Sequence, residues 1–107
     1  MHETVVYEVN IEVDGSVVDE YRQWLRTHIA EILAIDGFIG ARQFEVIEPP
    51  ATAGCVGLCV QYVLRDADAL AAYLRDHAPR LRADGVTRFG ERMRASRRVL
   101  RDGDLAG

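Results

Sequence analysis

The first residues able to do chemistry lie in the run Thr4 to Val13 (TVVYEVNIEV), where Glu8 and Asn10 stand two apart. On a strand, that spacing puts both side chains on one face. Arg98, near the end of the chain, is the cation best placed to join them if its strand pairs with this one. A carboxylate, an amide and a guanidinium on one surface suit proton abstraction next to a carbonyl, or cofactor-free oxygen chemistry in a dry cavity. Glu8 would then be the general base, Arg98 would bind an anionic or enolate oxygen, and Asn10 or Gln61 would orient the substrate. Gln61, Arg94 and Cys59 are the candidates for holding a small ligand against the same face. A second reading contains no chemistry: Glu8 and Arg98 form a cross-strand pair that makes an apolar dimer interface specific. The sequence leaves both open.

The elements that must position these residues follow from periodicity. Val5, Tyr7, Val9, Ile11 and Val13 alternate with Glu8, Asn10 and Glu12, which describes a strand with one buried face. Asp14-Gly15 turns the chain. Ser16, with Asp19 three residues on, reads as a helix start. Val18, Tyr21, Leu25, Ile29 and Ile32 form the helical stripe, with Trp24 and His28 on its flanks, and Gly37 reads as the stop. Phe38 to Glu48 is the second strand, a Pro-Pro-containing connection follows, and Cys55 to Leu64 is the third. Asp66 caps a second helix with Leu70, Tyr73, Leu74, His77 and Leu81 on its stripe. Pro79 kinks or restarts that helix, and Asp84-Gly85 ends it. Met93 to Leu100 is the last strand, and a frayed tail runs from Asp102.

The order β-α-β-β-α-β defines an α+β, ferredoxin-like domain: a four-stranded antiparallel sheet with both helices on one face. Its strands lie fourth, first, third, second, which places the first strand beside the fourth. The face away from the helices then carries Glu8, Asn10, Gln61, Arg94 and Arg98. It also carries Val6, Cys55, Gly57, Cys59 and Val63, too apolar a set to stay wet, and the simplest cover is a second copy. The fourth strand has a register ambiguity. With Met93, Ala95 and Val99 toward the helices, Arg98 faces away; a bulge near Ser96 would exchange Arg97 and Arg98.

Several other residues have bland readings that outweigh chemical ones. His28 and His77 sit near apolar stripes, where histidines are mostly structural, and no ligand cluster for a metal accompanies them. Trp24, Tyr73 and Phe89 are core or core-edge aromatics before they are stacking platforms. Gly40 and Gly57 mark a bulge, a strand crossing or a ligand's close approach. Cys55 and Cys59, four apart on one strand, would lie roughly 13 Å apart, beyond disulfide reach. They read as core residues of a reducing cytoplasm.

The 107-residue chain fits one domain, residues 1–107, with an ordered core over about 4–101. No secretory signal or transmembrane run is visible. A formal charge of -4, with no lysine among the 13 basic residues, argues against generic nucleic-acid or anionic-membrane binding. That total hides an asymmetry. Residues 1–64 hold three arginines and ten acids, whereas residues 65–101 hold ten arginines and five acids. The basic fourth strand beside the acidic first one compensates much of it.

The run Tyr7-Glu8-Val9-Asn10, the helix YRQWLRTHIAEILAIDGF and the block YLRDHAPRLRADGVTRFGERMRASRRVL together resemble a bacterial family of small uncharacterised proteins. That family is a domain of unknown function in the dimeric α/β-barrel superfamily, and the resemblance covers about residues 5–100. It implies a ferredoxin-like protomer that dimerises through its sheets into a barrel. It brings no function with it. Relatives by fold include antibiotic-biosynthesis monooxygenases, muconolactone isomerases, haem-degrading enzymes and ligand-sensing domains, a spread among which fold analogy does not choose. The expectation is a cytoplasmic homodimer that binds a small molecule, with no established catalysis and no cofactor. Its rivals are a cofactor-independent monooxygenase- or isomerase-like enzyme with a pocket inside the barrel, and a structural or partner-binding dimer.

Overall fold

Alternation along the first strand does what its pattern dictates. In a computed structural model that describes residues 3–101, β1 (Val5–Asp14) sends Val5, Tyr7, Ile11 and Val13 into the core. A short 3-10 turn (Gly15–Val17) leads into α1 (Val18–Leu33), and β2 (Phe38–Glu45) and β3 (Cys55–Leu64) follow. Two helices, α2 (Ala67–Asp76) and α3 (Ala78–Phe89), precede β4 (Met93–Arg101). The sheet order is β2-β3-β1-β4 with every neighbouring pair antiparallel. This is the ferredoxin-like βαββαβ arrangement, its second helix broken in two.

The helices bury one face each. Tyr21, Leu25 and Ile32 of α1 meet Leu58, Val60, Tyr62 and Leu64 of β3, while α3 adds Leu81 and Phe89. Aromatic rings fill much of the layer: Tyr21 lies edge-on to Phe89 at 4.9 Å, and Phe38 to Tyr73 at 5.0 Å. Burial pushes the Tyr21 and Tyr73 phenols up to about 12, and Tyr62 higher still. The other sheet face has no helix over it. The chain is accordingly a slab, 46 × 35 × 17 Å across its Cα atoms. Its radius of gyration of 14.5 Å exceeds the ~13 Å typical of a compact chain this long.

Local signals prevail where one interaction settles them. Asp66 accepts a bond from the Ala69 amide at 2.8 Å and caps α2. Pro79 restarts the helix at the first turn of α3, where its missing N–H costs nothing. Four boundaries differ from expectation. Ser16 does not cap α1: Asp14 caps the preceding 3-10 turn, accepting the Ser16 amide at 2.9 Å, and α1 starts at Val18 without a side-chain cap. The first helix ends at Leu33, before Gly37. That glycine has φ +96° and shapes the next turn, where a Cβ would lie 2.5 Å from the Ala69 Cβ. The second strand stops at Glu45 instead of Glu48, ahead of Pro49-Pro50. Most consequential, Asp84-Gly85 does not end the helix. It continues to Phe89, and Gly85 is buried inside it because the Trp24 ring packs there, 3.1 Å from where a Cβ would stand. The frayed tail expected from Asp102 lies outside the described residues.

Candidate functional site

On the open sheet face the strand registers align side chains in rows. Gly40, Val63, Val6 and Leu100 make an apolar row across β2, β3, β1 and β4. Beside it Arg42, Gln61, Glu8 and Arg98 make a polar row. Phe44, Cys59, Asn10 and Ser96 come next, and then Gly57, Glu12 and Arg94. β4 pairs with β1 without a bulge, so Arg98 faces Glu8 while Arg97 opposes Val9 on the helix side. Arg42 places its guanidinium 5.0 Å from the Phe44 ring.

Glu8 is the centre of the polar row. It is only 3% exposed, although no helix covers this face. Its Oε2 accepts from Arg98 Nε at 2.5 Å and Asn10 Nδ2 at 2.9 Å, and its Oε1 accepts from Gln61 Nε2 at 2.9 Å. These donors, Arg98 foremost, hold the carboxyl down at about 2 against the opposing effect of burial. A carboxylate that acidic is a feeble proton acceptor near neutral pH. Its geometry suits a different role, which is to fix Arg98, two-thirds exposed, in one orientation over the sheet. Cys59 lies in the next row, its thiol pushed up by burial and by the Glu8 charge.

The structure therefore gathers Glu8, Asn10, Gln61 and Arg98 into one hydrogen-bonded cluster. Arg94 stands apart in a second ion pair, with Glu12 at 2.5 Å. Glu12 also accepts the Thr52 amide at 3.1 Å, and Thr52 and Arg94 hold its carboxyl at about 2. This second anchor ties the β2–β3 loop onto the sheet, and sequence reasoning missed it. The clue was present, since Glu12 shares the face of Glu8, but its partner is a loop amide 40 residues away. Between this anchor and the loop lies an open groove of about 440 Å³, lined by Asn10, Ser96, Arg94, Val46, Pro49 and Pro50 among others. Its mixed lining and size fall in the range of small-molecule sites.

The remaining candidates fall elsewhere. His28 stacks on Trp24 at 4.4 Å between the ring centroids, on the helix side. Burial depresses its pKa. His77 joins α2 to α3 and stacks on Tyr73. Phe89 is a core residue, and the register shift between Phe38 and Gly40 is a bulge. Among the described residues, no three His, Cys, Asp or Glu side chains come together as a metal site would require. No helix there is long and apolar enough to cross a membrane. The arginines of β4 are largely compensated, with Arg101 paired to Glu3 as well as Arg98 to Glu8 and Arg94 to Glu12.

Solved structures of similar fold carry varied names. A Deinococcus radiodurans protein, named provisionally as an antibiotic biosynthesis monooxygenase, superimposes with a TM-score of 0.72 at 12% identity, covering 96% of each chain. SnoaB, a cofactor-independent oxygenase from Streptomyces nogalater, gives 0.63 at 9% identity, covering 97% of each. A de novo designed protein, Foldit4, gives 0.64 at 14% identity over 94% of this chain and all of that one. At these identities the likeness is one of fold. No curated protein matches the chain. Residues 4–102 match the family described as domain of unknown function DUF4286, and the chain belongs to that family.

Proposed function

We propose that this protein is a small-molecule-binding homodimer whose ligand lies on the open sheet face, in the groove beside the Glu8 cluster. The observation that carries the reading is the clamp itself. Three donors spend Glu8 on holding Arg98 and Asn10 still, which organises a binding surface and leaves no effective base. Arg98 keeps its outer N–H groups for a ligand acceptor, and Asn10 and Ser96 line the polar side of the groove. The flat, one-layer-short shape and the apolar row of Val63, Val6 and Leu100 support a second copy as the cover, sheet against sheet. Two free thiols on one strand fit a reducing, cytoplasmic setting.

An enzyme of the cofactor-independent oxygenase type is the second reading, favoured by the likeness to SnoaB. In that case Arg98 would bind the developing oxyanion, and the base would have to be something other than the strongly acidic Glu8.

A thermal-shift screen of small molecules, run in parallel on wild type and Ser96→Trp, tests the proposal. Ser96 is exposed, so a tryptophan there fills the groove without entering the core. Compounds that raise the wild-type melting temperature but leave the variant unmoved support the groove. A broad screen in which every hit stabilises both proteins equally refutes it.

A further inference from the structure

We propose that a second site, on the opposite side of the sheet from the groove, binds the carboxylate group of a small organic anion. The site is a cavity of about 50 Å³ between the sheet and helices α1 and α3, near the β4 edge. Its wall holds two arginines, Arg82 and Arg97, and no acid. In a chain with 17 carboxylates and a net charge of -4, a concave surface of that composition is unusual. Among the described residues neither arginine is in an ion pair with a carboxylate.

The two cations are placed differently. Arg82, from α3, donates to the Tyr7 hydroxyl at 2.8 Å, which directs its guanidinium onto the sheet. Arg97 is exposed at the β4 edge, yet its charge is felt by Tyr21, His28 and Tyr73, which line the cavity from α1 and α2. His28, on the α1 side, has a buried Nδ1 that makes no hydrogen bond to the protein. A buried polar atom left this way asks for a partner. Burial lowers the pKa of this imidazole against the opposing charges of Glu31 and Asp84.

The chemistry favours a carboxylate over other anions. A guanidinium fork meets the two oxygens of a carboxylate side by side, and the aromatic walls accept a short apolar remainder. The volume limits the enclosed part to a group of acetate size, so any larger remainder leaves by the mouth beside Arg97. None of this uses the Glu8 cluster, so the site stands or falls independently of the groove.

Trp24 lines the cavity and is the chain's single tryptophan, which makes its fluorescence the direct readout. Sodium acetate is titrated into the protein at constant ionic strength, with sodium chloride as the balancing salt. The expected result is a saturable change with a dissociation constant of about a millimolar, weakened at least about tenfold in Arg97→Gln and in Arg82→Gln. Arg75→Gln, on the far side of α2, should titrate like wild type. Arg97 is exposed, so its variant folds as wild type does. A response that does not saturate, that chloride alone reproduces, or that survives both cavity substitutions unchanged overturns the proposal.

Discussion

The two faces of one sheet are held in place by opposite kinds of force. On the helix side, β1 and β3 offer Tyr7, Ile11, Leu58, Val60 and Tyr62 to an apolar layer in which order comes from close packing. On the open side the same two strands offer Glu8, Asn10 and Gln61, and order comes from directed bonds to a carboxylate. Both faces contain residues that are almost wholly buried, Tyr62 at 2% and Glu8 at 3% exposure. Burial alone therefore does not separate core from site. Glu8 is shielded by the very side chains that bind it, whereas Tyr62 is shielded by another layer of the fold. A face closed by its own polar side chains remains available to a ligand or a partner.

The comparison can be broken from either side. The largest effect is expected in the packed layer. Phe89→Ala leaves a hole between α3, Tyr21 and Trp24 and should cost about 3–5 kcal/mol in urea unfolding. An unfolding free energy close to wild type would mean that the layer is far more plastic than its ring contacts suggest. On the open face, the apolar row is the place to attack self-association. Light scattering should give twice the chain's 12.0 kDa for wild type. Leu100→Glu should weaken the dimer about a hundredfold, roughly 3 kcal/mol, by burying an unpaired charge. A monomeric wild type at micromolar concentration would remove the second copy from the picture.

The smallest and most diagnostic effect concerns the clamp. Glu8→Gln keeps the shape but gives up the charge-assisted bond to Arg98, a loss of about 1–3 kcal/mol at pH 7. Because folding depresses the Glu8 carboxyl from its usual 4.5 to about 2, its contribution is complete above 4.5 and fades as pH falls toward 2. The stability gap between wild type and Glu8→Gln should close over that same interval. A gap that persists unchanged down to pH 2 would show that charge has little to do with the clamp.

How far the sequence can be read depends on the distance over which each signal is decided. Period-two alternation locates β1, and a run rich in valine and leucine locates β3, with Cys55–Leu64 correct to the residue, because both patterns are local. Asp66 is equally clear, since a cap acts within three residues. Gly85 misleads because a helix-ending glycine and a glycine under a packed ring look alike along the chain. The difference is Trp24, 61 residues earlier. Ser16 misleads because a 3-10 turn, capped by Asp14, intervenes before α1 and moves the helix start to Val18. For the site, topology is enough to bring Glu8, Asn10, Gln61 and Arg98 to one face. It does not reveal the direction of each donor, nor that three of them converge on Glu8 and hold its carboxyl well below the usual range. The Arg82–Tyr7 contact, spanning 75 residues, leaves no trace in any local pattern.

The Glu8 cluster also bears on how the chain finds its fold. One carboxylate on β1 reaches Gln61 on β3 and Arg98 on β4, so a single side chain stitches three strands together. A slip of β4 by two residues would keep every side chain on its proper face but would bring Ser96 or Leu100 opposite Glu8. The apolar pattern tolerates that error, whereas a buried charge deprived of its cation does not. Charge at this position thus acts as a proofreader of strand pairing, penalising two-residue slips that hydrophobic alternation leaves undetected.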